Sequence, residues 1–178
     1  MASKIPFVST MIGDFAFQKR ALHEFGSATA ASNLTWVANL ALYAEIYLPE
    51  SYTFTKIGWM NDTVGAHNID VGVYNSRTLQ KIRSAGSTLQ AGSNDTMQTV
   101  SVTSTTLPAG RYLLALARDT TLSTAIFSGV PSSATTAKMS NARCFEQTSA
   151  FPLPATAAPV AQTSILGIPV VILLPPGW

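Results

Sequence analysis

From Leu40 the chain alternates with a period of two. In LALYAEIYL, Leu40, Leu42, Ala44, Ile46 and Leu48 fall on one side, and Ala41, Tyr43, Glu45 and Tyr47 on the other. That spacing predicts a half-buried strand, because successive strand side chains point to opposite faces. Pro49 and Glu50 end it. YTFTKIGWM, rich in aromatic and β-branched residues, predicts the next strand, and NDTVGAHN is a turn cluster. NIDVGVYN (68–75) alternates again, with Ile69, Val71 and Val73 predicted dry and Asp70, Gly72 and Tyr74 predicted on the wet face. NSR turns the chain, TLQKIRS is the expected hairpin partner, and AGSTLQAGSND is a loop. TMQTVSVT predicts a strand and STTLPAG a turn. RYLLALARD is apolar on both faces, which predicts a central position in a sheet. TLSTAIF is a further candidate strand, SGVPSSATTAK a loop, and MSNARCFEQ, ambiguous in period, a late strand.

The two ends read differently. In DFAFQKRALHEFG, Phe15, Leu22 and Phe25 stand near helical spacing with Gly26 as a stop. A short helix and an extended arm with aromatic anchors both fit. GSATAASN is a small-residue linker. After residue 150 come six of the ten prolines, which lack the ladder donor and exclude a central strand before about residue 163; VVILL could form one last strand. Short strands separated by turns predict an all-β protein: a single antiparallel, jelly-roll-like β-sandwich over 34–149, with an N-terminal arm and linker (1–33) and a Pro-rich apolar C-terminal arm (150–178).

Composition sharpens this picture. Charged residues are 11% of the 178, well below the usual share of about 25%, while apolar residues are 47%. A surface of hydroxyls and amides suits strands and turns, and suits a protein pressed against other subunits. The net charge of +2 is scattered, with no basic stripe, so nucleic-acid binding is not expected. ILGIPVVILLPPGW is apolar but shorter than the roughly 20 residues a bilayer span needs, so no membrane span is expected. No secretory signal is expected from MASKIPFVSTMIGDFAFQKR, which has no continuous apolar stretch after Lys4. Cys144, the one cysteine, rules out an internal disulfide and reads as a half-buried small hydrophobe.

Candidate chemistry is sparse. Two histidines, His23 and His67, and nine acids accompany many serines, but no nucleophile elbow and no phosphate loop appear. Asn61, Asp62, Asn68 and Asp70 could offer oxygens to Ca²⁺, yet turn Asp and Asn more commonly bond their own backbone. No catalytic residue, cofactor or metal site is therefore assigned. The Asn-x-Thr triplets at Asn33, Asn61 and Asn94 are expected by chance in a Thr-rich chain. Trp59 reads as core. Trp36 and Tyr74 are candidate surface aromatics on which a sugar ring could stack. Trp178, after LLPPG, reads either as an anchor in a neighbour's pocket or as a residue folded back on its own sheet.

The middle of the chain resembles β-sandwich domains of tailed-bacteriophage structural proteins. Trp36, Asn39, Ala41, Tyr43 and Pro49 match a Trp-x-x-Asn-x-Ala-x-Tyr segment leading to proline. Gly58 and Trp59 match a strand ending Gly-Trp, and Asp70, Val71, Gly72 and Tyr74 an Asp-Val-Gly-x-Tyr strand. Leu107, Gly110, Tyr112, Leu114, Ala115 and Leu116 match Leu-x-x-Gly-x-Tyr-x-Leu-Ala-Leu. The likeness covers about 36–120; it departs at TLQ, where an Asp-Gly turn would be expected. It implies a non-enzymatic virion protein, either a capsid decoration (cement) protein or a tail-fibre or spike protein. The first reading expects self-association as a homotrimer on the major capsid protein, through arm residues Phe15, Phe17, Phe25, Ile168, Val170, Ile172 and Trp178. The second expects tail proteins and a host-surface glycan as partners.

Overall fold

The computed structural model describes residues 7–8, 37–61, 65–93, 96–121, 126–128, 144–163, 167–169 and 171–178. Phe15, Phe17, Phe25, Trp36, Asp62, Val170 and most of the expected N-terminal arm lie outside these residues. Among the described residues there is no helix, and thirteen strands follow one another: β1 (Phe7–Val8), β2 (Ala41–Leu48), β3 (Tyr52–Met60), β4 (Asn68–Asn75), β5 (Lys81–Ser84), β6 (Thr88–Leu89), β7 (Met97–Leu107), β8 (Gly110–Arg118), β9 (Ile126–Ser128), β10 (Cys144–Gln147), β11 (Val160–Ala161), β12 (Gly167–Pro169) and β13 (Val171–Leu174).

Every pairing is antiparallel. One sheet runs β1-β13-β3-β7; the other runs β11-β10-β2-β8-β4-β5, with β6 also on β4; β9 and β12 form a separate pair. The two larger sheets pack face to face as a β-sandwich, with a shared core of Leu42, Ile46, Val71, Val73, Leu114 and Leu116 from one and Phe54, Ile57, Trp59, Val171 and Leu173 from the other. β8 is central, between β2 and β4, as its doubly apolar sequence predicts.

Periodicity breaks at one place for a structural reason. β3 buries Tyr52 and Phe54, then Ile57 and Trp59, so the inward positions change parity. A register shift between Phe54 and Lys56 permits this, and β7 changes parity opposite it, from Val100 and Val102 to Thr105 and Leu107. β7 also runs on through Ser104–Leu107, residues the sequence assigns to a turn; the turn is confined to Pro108 and Ala109. At the TLQ departure, Asn75 Oδ1 accepts from Arg77 N and Thr78 N, both at 2.9 Å, and Leu79 takes a left-handed backbone at φ 59°. An Asx turn thus does the work of Asp-Gly, and the Leu79 side chain is held by apolar packing.

VVILL supplies the last strand that the sequence allows, and the described parts of the C-terminal segment lie against or within the sandwich instead of leading away from it. β13 sits between β1 and β3, pairing Val171 with Trp59 and Leu173 with Ile57. Ile172, expected at a subunit contact, pairs with Gly58 and is buried within its own chain. The cause is composition: four successive large apolar residues gain more from a core position than from water. Leu173→Ala is expected to cost roughly 2–5 kcal/mol, and Val160→Ala, at an exposed edge, less than about 0.5 kcal/mol. Urea denaturation of the two variants checks this, and equal midpoints would remove β13 from the core.

Candidate functional site

The outer face of the seven-stranded sheet carries the features that sequence alone left open. Its side chains fall in rows across β2, β8 and β4. Ala41, Ala117 and Asp70 align, then Tyr43, Ala115 and Gly72, then Glu45, Leu113 and Tyr74; Tyr47 pairs with Arg111 beyond them. Small residues in the first two rows leave a trough, walled by Tyr43 and Tyr74, whose rings meet edge-to-face at 5.6 Å.

Residues 150–157 fill that trough. Leu153 is buried over Gly72; a Cβ added to Gly72 would come within 2.9 Å of Arg83 O and 3.0 Å of Leu153 Cδ1. The polar backbone groups of this segment are met one by one. Ala150 N donates to Asn39 O (2.7 Å) and Leu153 N to Asp70 Oδ2 (3.0 Å). Lys81 Nζ donates to Leu153 O (2.6 Å), Tyr74 Oη to Pro154 O (2.7 Å) and Lys81 N to Ala155 O (2.8 Å). Ala157 N donates to Leu79 O at 2.8 Å.

The face predicted wet on NIDVGVYN is therefore dry. Asp70 and Tyr74 are buried, and Tyr74 offers no ring to a sugar because the 150–157 segment lies over it. Burial pushes the Asp70 carboxyl above its ordinary range, against the opposing pull of the Leu153 N–H and the Lys81 charge. Burial likewise raises the phenols of Tyr43 and Tyr74, and pushes the Cys144 thiol up to about 12, which leaves it unreactive as a nucleophile.

Beyond the segment the face opens to solvent. Tyr47 is 48% exposed, the Arg111 guanidinium lies 5.8 Å from its ring centroid, and Arg111 Nη1 donates to Glu45 Oε1 at 2.6 Å. Ser76 Oγ donates to Arg111 O at 2.9 Å and ties the next turn to this patch. An exposed aromatic beside a paired acid and guanidinium is a surface for a polar ring or a partner side chain. Sequence reasoning did not single out Tyr47. It shares the parity of Tyr43 on β2, and only the reach of the 150–157 segment separates the covered tyrosine from the open one.

The remaining candidate residues are dispersed. Asn61 Oδ1 accepts from Trp59 Nε1 (2.9 Å) and Gln90 Nε2 (3.0 Å), and Asn68 bonds Asp119 Oδ2. Asn61, Asn68 and Asp70 each serve a different contact, and among the described residues no three His, Cys, Asp or Glu side chains cluster as a metal site would need. Trp59 is core, as its strand position predicts. Trp178 is 54% exposed, and its carbonyl accepts from Lys56 Nζ, which holds the C-terminal residue beside β3. Ile168 lies on β12, opposite Phe127 of β9. No family model, no curated protein and no solved structure matches this chain.

Two substitutions test the trough. Gly72→Ala is expected to destabilise the fold by roughly 1–3 kcal/mol, since the Arg83 carbonyl cannot yield as a side-chain tip can; denaturant titration measures it. For Asp70, the folded chain binds the proton more tightly than the unfolded chain. Stability should therefore fall as pH rises from the ordinary value of 3.8 through the raised folded-state value. Thermal unfolding of Asp70→Asn across that window should lack this decline, and parallel curves for the two proteins would contradict the assignment.

Proposed function

We propose that this chain is a non-enzymatic structural protein of a tailed-bacteriophage virion, acting as a decoration subunit on the capsid surface with the major capsid protein as partner. The observation that supports it most is where the motif residues fall. Gly58, Trp59, Asp70, Gly72, Tyr74, Tyr112, Leu114, Ala115 and Leu116 all belong to packed strands of the sandwich. The resemblance is thus carried by framework, as suits a rigid repeated building block. The acids point the same way. Asp70 receives Leu153 N, Asp119 receives Asn68, Glu45 receives Arg111 and Glu146 receives Thr163 Oγ1 at 2.8 Å, so carboxylates are spent on holding elements together.

The way such a subunit would hold its shell differs from arms alone. Residues 150–157 and 171–174 are committed to the chain's own sandwich, which moves the expected contacts to exposed strand surfaces and to Trp178. Removing 163–178 would therefore test folding before it tested attachment. A second reading, a tail-fibre or spike module that binds a host glycan, is favoured by the open Tyr47–Arg111 patch.

Quantitative mass spectrometry of purified particles against the major capsid protein separates the two. Hundreds of copies per particle are expected of a decoration subunit. A few to a few dozen copies would favour the fibre or spike reading, and Tyr47→Ala should then weaken binding to host cells. Absence from particles would overturn both.

A further inference from the structure

Among the described residues, five strands lie on the outer edges of the two larger sheets, and four of them are guarded. β1, β6 and β11 are two residues each; β5 is four residues and carries Lys81 and Arg83. Short and cationic edges resist pairing with another strand. β7 has neither protection. It is eleven residues long, MQTVSVTSTTL, with no charge, no proline and no glycine, and it pairs with β3 on one side. Among the described residues nothing pairs with its other side.

Only part of that edge is open. Arg83 Nε donates to Thr105 Oγ1 at 3.0 Å, tying the far half of β7 to β5, and the register shift falls between Ser101 and Thr105. The regular stretch before it is Met97–Ser101. Two of the exposed large apolar side chains flank this stretch: Met97 is 47% exposed, and Leu89, whose carbonyl accepts from Gln98 Nε2 at 2.9 Å, is 57% exposed.

We propose that the Met97–Ser101 edge is an interface at which a second copy of this chain pairs antiparallel about a two-fold axis. The two four-stranded sheets then become one continuous sheet. Charge selects a second copy as the occupant. Two-fold pairing sets a strand against itself, and like charges directly opposite repel. Met97–Ser101 has no charge to repel, whereas the β5 edge would set Lys81 and Arg83 against their own copies. The hydroxyls are compatible with such pairing, since Thr53 and Thr106 already share a 2.8 Å hydrogen bond across β3 and β7. Met97 and Leu89 add apolar area beside the backbone bonds. This inference does not rest on the virion reading and holds or fails without it.

The test is sedimentation of the full chain over a concentration series. The wild type should show a monomer–dimer equilibrium. The double variants Met97→Lys/Thr99→Lys and Met97→Glu/Thr99→Glu should each dimerise at least roughly tenfold more weakly, and mixing them should restore the dimer. Both substituted positions are exposed, so thermal melts should stay close to wild type. Hydrogen exchange of the unaltered chain adds an independent reading: amides in 97–101 should gain protection as concentration rises. A wild type that stays monomeric, a trimer, an undiminished dimer in either charged variant, or amides indifferent to concentration would overturn the proposal.

Discussion

A sheet that is apolar on both faces must be covered twice. The seven-stranded sheet meets that constraint on its inner face with the four-stranded sheet. On its outer face, Ala41, Tyr43, Tyr74, Leu113, Ala115 and Ala117 need a cover too. The chain supplies one from its own C-terminal region, and much else follows. Gly72 is glycine because a carbonyl and Leu153 crowd it. Asp70 is buried because the cover brings an amide that needs an acceptor. Lys81 serves twice, through its backbone and its ammonium, because two carbonyls of the cover pass over the end of β5.

The virion proposal draws on this economy of charge. Among the described residues, Asp70 and Lys81 meet backbone groups and Glu45 meets Arg111, and long stretches of strand surface are left to Thr, Ser and Gln. Such a surface tolerates burial against neighbours because removing hydroxyls from water costs less than removing charges. It also leaves recognition to shape and to a few exposed groups, of which, among the described residues, Tyr47 and Trp178 are the largest aromatics.

Strand identity and the inner core were legible because alternation reports them directly: Leu42, Ile46, Val71 and Leu116 lie where the period of two puts them. The outer face was not. Gly72 signals that something packs closely on that face, but Asp70 and Tyr74 look solvent-facing to a local reading, because their cover comes from residues some 80 positions away along the chain (Leu153 N to Asp70 is a separation of 83). The same distance hid Tyr47, whose exposure is decided by where the cover stops. Prolines at 152 and 154 correctly argued against a ladder strand, but they carry no information on whether an extended segment leaves the domain or lies across it. β7 was cut short because Thr and Ser serve strands and turns alike.

The insertion of β13 between β1 and β3 has a consequence for how the molecule comes into being. Leu173 lies opposite Ile57, so the edge of β3 waits for more than a hundred residues of synthesis before its neighbour exists. Until then Ile57 and Trp59 belong to a sheet that cannot close, and the trough over Gly72 stands open as well. Pairings this distant in sequence form slowly and expose sticky surface meanwhile. Synthesis of residues 171–174, more than any local hairpin, sets the moment at which the open edge of β3 is covered and this sandwich can close.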